Sequence, residues 1–130
     1  MQERSLAVVT PWRWWAGFVL TIAIALYLTG LAYAGDLPSA FARIPQFDKA
    51  VHFTIAGLLA FFLDGALRRR TVFTVSAFPV PLGAVVILVP AGIEEFLQRY
   101  ATLRTSSFWD FAADLVGVVA LVSVSRRVAQ

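Results

Sequence analysis

The sequence predicts an all-α integral membrane protein, a four-helix bundle with both termini cytoplasmic. Three observations carry this. Of 130 residues, 59% are hydrophobic and the mean hydropathy is +0.75, more apolar than an ordinary soluble domain can cover. The apolar residues fall into four long runs joined by short links, as in a bundle of antiparallel neighbours. The arginines fall in short clusters between those runs, unequally on the two sides.

Each run has its own argument. The chain reads as one transmembrane domain over 1–130, with helices at about 14–35, 49–67, 72–98 and 108–125. From Trp14 to Gly35 no residue is charged, and about 22 residues at ~1.5 Å each cross a ~30 Å hydrocarbon core. Ala32-Tyr33-Ala34 resembles a signal-peptidase site, but the apolar run exceeds the ~7–15 residues of a signal sequence, so an anchor is expected. The second run is broken only by His52 and Asp64. The third holds Pro90, which removes the hydrogen bond to the Val86 carbonyl, and opens with Phe78-Pro79-Val80-Pro81, an interrupted start. The fourth stops at Arg126 and Arg127. In lipid every backbone group is satisfied within its own segment, so the runs should be helices.

If all four cross, one side holds Arg4, Arg13, Arg68, Arg69, Arg70, Arg126 and Arg127, and the other Arg43, Lys49, Arg99 and Arg104. The richer side faces the cytoplasm. Trp12, Trp14 and Trp15 then lie at the inner interface, and a bacterial cytoplasmic membrane is the expected location.

The same layout gathers the ionisable residues at the outer level: Asp48, Lys49 and His52, then Glu94, Glu95 and Gln98, then Asp110 and Asp114. Glu94 and Gln98 are four apart and share a helical face, with Glu95 rotated by roughly 100°. Asp110 and Asp114 repeat that spacing. A carboxylate facing lipid costs roughly 2.5–3.5 kcal/mol at the helix centre, so these groups should turn inward toward Lys49, His52 and Arg104. Gly57, Gly92, Ala113 and Gly117 would let the helices close around them. Asp64 alone sits at the inner end, a snorkelling partner for the triple arginine. Simpler roles stand beside these: Asp48 capping the second helix, Asp110, Ser106 or Ser107 capping the fourth, Lys49 anchoring at headgroups, and Glu94 and Glu95 pairing with Arg99 and Arg104.

The inventory limits the chemistry. With no cysteine, thiolate sites and disulfides are excluded, and one histidine disfavours zinc. There is no Gly-x-Ser-x-Gly, Walker loop or His-Glu-x-x-His, and no basic stripe for nucleic acid. No cofactor is called for. His52, Glu94, Glu95, Asp110 and Asp114 are the acid–base candidates. Ligand-binding candidates are Asp48, Lys49, His52, Glu94, Gln98, Arg104, Asp110 and Asp114. Glu94, Glu95, Asp110 and Asp114 form a weaker set for Ca²⁺ or Mg²⁺.

Asp48-Lys49-x-x-His52-Phe53, then Glu94-Glu95-x-x-Gln98, Arg104, and Asp110 with Asp114 and Gly117, resembles the VanZ-like family over residues 46–120. Asp114 stands where that pattern has asparagine. The resemblance implies a multi-pass bacterial membrane protein, and the founding member is linked to teicoplanin resistance. Three functions follow as expectations. One is a module whose outward pocket binds, or protects against, an envelope lipid, a cell-wall precursor or a glycopeptide-type ligand. Another is an enzyme acting on a lipid-linked headgroup. The third is a structural or assembly protein whose charges lock the helices.

Overall fold

A computed structural model describes residues 11–100 and 107–128. Its elements run α1 (Trp12–Ala34), α2 (Ser39–Ala42), α3 (Phe47–Ala66), β1 (Thr71–Val75), β2 (Phe78–Pro81), α4 (Leu82–Gln98) and α5 (Phe108–Val128). Three of these, α1, α3 and α5, are long and apolar enough to cross a membrane.

Helix α1 shows what solvent it is made for. Thr21 is its only buried residue, while Val19, Leu20, Leu26 and Tyr27 are each more than 60% exposed. A helix apolar on all sides with so little protein cover belongs in lipid. Its buried hydroxyl is satisfied locally, Thr21 Oγ1 donating to the Gly17 carbonyl at 2.7 Å. A left-handed Gly35 ends the helix, its φ of +75° open to a residue without Cβ.

The packing is organised by α3, which lies against α1, α4 and α5, while α4 also packs on α5. The α3–α5 contact is the tightest, and small residues make it so. A Cβ on Gly117 would collide with the Phe53 carbonyl, and one on Gly57 would come within 2.8 Å of the Gly117 carbonyl. Around this seam Ala56, Ala60, Ala84, Val118 and Val122 form the core, with Ile87 and Leu88 against it. Lipid tails are as apolar as these side chains, so close packing rather than water exclusion holds the seam.

The contacts also define the ends. Trp14 packs against Gly65, and Asp64 against Gly83 and Arg126, so the start of α1, the end of α3, the start of α4 and the end of α5 lie together. His52, near the start of α3, meets Asp114 in α5 at the other end.

Two expectations are corrected. The chain is not purely helical, because residues 71–81 form an antiparallel hairpin instead of the first turns of the third helix. Pro79 and Pro81, two residues apart, would cost a helix two hydrogen bonds, whereas an exposed two-stranded ribbon tolerates them. The turn residues Ser76 and Ala77 both have positive φ, the geometry of a two-residue hairpin loop, which asparagine or glycine usually signals. Helix α4 therefore begins at Leu82. Helix α3 in turn begins at Phe47 rather than residue 49, after a left-handed Gln46 that offers no side-chain cap.

Candidate functional site

The polar residues of the His52 end occupy specific places on three helices. His52 lies on α3, one turn beyond Asp48 and Lys49, and its Nδ1 stands 3.0 Å from Asp114 Oδ1 on α5. Asp114 is buried and the imidazole half-buried, so the pair is shielded from solvent and strengthened by it. One turn toward the end, Lys49 Nζ lies 2.9 Å from Asp48 Oδ2 and 3.5 Å from Asp110 Oδ1. The two rungs share a cause: the i, i+3 spacing of Lys49 and His52 matches the i, i+4 spacing of Asp110 and Asp114 across the seam.

Helix α4 contributes the third side. Gln98 Nε2 donates to Glu94 Oε1 at 3.0 Å, as their four-residue spacing predicts. Glu95, turned away from them and buried, accepts a hydrogen bond from the Ser107 backbone N–H and so fixes the entry to α5. That role was not legible in the sequence, because Ser107 lies 12 residues further along the chain.

His52, Asp114 and Glu94 all line one cavity of about 910 Å³. Its walls are Leu28 and Ala32 of α1, Phe41 of α2, Ile55 and Leu59 of α3, and Val86, Pro90 and Ala91 of α4. Since α1 and α4 each pack on α3 and only marginally on one another, the cavity opens between them along the helices. Pro90 thus stands in the cavity wall rather than in a helix contact. The site is a long apolar trough with a polar end.

Several expected roles change. Asp48 does not cap α3; its carboxylate goes to Lys49. Asp110 lies in the first turn of α5, its N–H donating to the Ser107 carbonyl at 2.9 Å. Its buried Oδ1 accepts no hydrogen bond among the described residues and relies on Lys49. The four carboxylates considered for a divalent ion are not gathered: among the described residues no three such ligands form a group that could hold a metal. Each is drawn to a different partner: Asp110 to Lys49, Asp114 to His52, Glu94 to Gln98 and Glu95 to a backbone N–H. Arg104 lies outside the described residues.

At the opposite end Asp64 is fully buried, not snorkelling, and its partner is Arg126 of α5 rather than the triple arginine. Arg126 reaches Asp64 Oδ1 at 3.0 Å, and Ser125 Oγ lies 3.3 Å from Asp64 Oδ2. Arg69 adds a second tie, donating to the Ser125 carbonyl at 3.2 Å and lying 5.6 Å over the Trp14 ring.

Fold and site together define a helical protein with three helices fit to cross a membrane and a polar-ended trough between them. No family model, curated protein or solved structure matches the chain.

Proposed function

We propose that this is a VanZ-like protein of the bacterial cytoplasmic membrane that holds an amphiphilic envelope ligand in the trough. The carrying observation is the joining of a His52–Asp114 pair and Glu94 to a cavity whose walls are otherwise mostly apolar. A chain-bearing molecule fits such a space, its tail along α1 and α4 and its headgroup at the polar end. An envelope lipid, a lipid-linked cell-wall precursor or a glycopeptide-type antibiotic has that form. In this reading α4 crosses as a fourth span. Its 17 residues give about 26 Å, and Val80 and Pro81 of β2 supply the remainder of a ~30 Å core. Both termini are then cytoplasmic and the trough's polar end opens outward.

A phospholipid carrying a diazirine on its acyl chain tests the proposal. It should crosslink to α1 and α4 residues of the trough, and Ala91→Trp, which fills the space, should suppress this without unfolding the protein. Crosslinks spread evenly over lipid-facing residues, unaffected by Ala91→Trp, would refute a specific site.

The His52–Asp114 hydrogen bond favours a second reading, an enzyme acting on a lipid-linked headgroup. A carboxylate on Nδ1 fixes the imidazole's orientation, part of the preparation a general base needs. Release of headgroup from a labelled lipid separates this from binding alone.

A further inference from the structure

The hairpin and the arginines around it are used by neither the trough nor the helix core. Register pairs Phe73 with Val80 and Val75 with Phe78, which sets these four side chains on one face of the ribbon. Phe73, Val75 and Phe78 are 53%, 54% and 76% exposed, so the face is apolar and uncovered. From Gly65 to Ile93 the sequence contains no acidic residue. Arg68 and Arg70, both exposed, flank the ribbon, and exposed Arg13 and Arg127 stand at the same end on α1 and α5. Asp64, the described carboxylate there, is fully buried and taken by Arg126. Trp12 and Trp15, 62% and 44% exposed, complete the rim.

We propose that this end binds anionic phospholipid, with the Phe73–Phe78 face seated in the lipid–water interface and Arg68 and Arg70 on the headgroup phosphates. Apolar and aromatic side chains backed by cations, with no exposed acid among the described residues there, complement a negatively charged interface. A protein strand added along β2 fits less well, because Pro79 and Pro81 remove N–H donors from that edge. The inference requires only that the helices cross a bilayer and is independent of what the trough holds.

Two measurements on the full chain test it. In the first, detergent-solubilised protein is melted against added phosphatidylglycerol or phosphatidylcholine. Phosphatidylglycerol should raise the Tm at lower concentration. Arg68→Gln and Arg70→Gln should each raise its half-maximal concentration about fivefold, with the phosphatidylcholine response unchanged. Arg68→Lys and Arg70→Lys should keep the preference, which separates loss of charge from loss of fold. Equal responses to the two lipids, or no shift in the glutamine variants, would overturn the proposal.

In the second, Phe78→Cys, the single thiol in a chain without cysteine, carries an environment-sensitive fluorophore in phosphatidylglycerol vesicles. Quenching by shallow spin-labelled lipid supports the seated ribbon. Quenching by aqueous iodide overturns it, as does a probe shielded from both, the signature of a protein partner.

Discussion

His52 Nδ1 and Asp114 Oδ1 lie 3.0 Å apart, a hydrogen bond between residues 62 positions apart that ties α3 to α5 at the polar end of the trough. The bond links stability to the site. In a double-mutant cycle of His52→Gln and Asp114→Asn, detergent melting should give a coupling of about 1.5–3 kcal/mol, the range for hydrogen bonds to charged groups. A coupling near zero would show that the two side chains act independently.

Glu94 lines the trough and accepts a hydrogen bond from Gln98 on its own helix. Glu94→Gln should abolish ligand crosslinking and any resistance phenotype while the protein stays folded. If melting point and phenotype fall together, the polar end is architectural.

Asp64 should behave in the opposite way. It is wholly buried and paired with Arg126, and Asp64→Asn leaves that guanidinium facing a neutral amide. A loss of roughly 3–5 kcal/mol is expected, enough to unfold a small helical protein near room temperature. Trough crosslinking, measured on whatever fraction stays folded, should be unchanged.

Glycines at the helix contacts are not equivalent. Gly117→Ala drives a methyl into the Phe53 backbone, which cannot rotate away, and should cost about 1–3 kcal/mol. Gly92→Ala meets only the Phe111 ring, at 3.4 Å, and gains up to about 1 kcal/mol of helix propensity. Melting the two variants side by side should give shifts of opposite sign.

Topology is read by thiol labelling in intact cells. A cysteine at exposed Ser39 should react with an impermeant maleimide, and one at exposed Thr71 should react only after lysis. The reverse pattern would place the trough's polar end in the cytoplasm.

The sequence by itself determined that α1, α3 and α5 are apolar enough for lipid, and which polar residues share a helical face. Charge-free length identifies α1, and helical spacing alone stacks Gln98 on Glu94, because both depend on local geometry. Tertiary structure decided the partners and the space between helices. Lys49 takes Asp110 and His52 takes Asp114 because Gly57 and Gly117 let two backbones touch, fixing a register between α3 and α5 that no local pattern encodes. Asp64 chose Arg126 over the adjacent triple arginine for the same reason: the chain's own neighbours lie around a left-handed bend at Arg68 and Arg69, while α5 delivers Arg126 beside it. The hairpin escaped detection because Ser76-Ala77 lacks the usual turn residues, although Pro79 and Pro81 already argued against helix. The trough, finally, is a property of packing alone, arising because α1 and α4 both lie against α3 and scarcely meet each other.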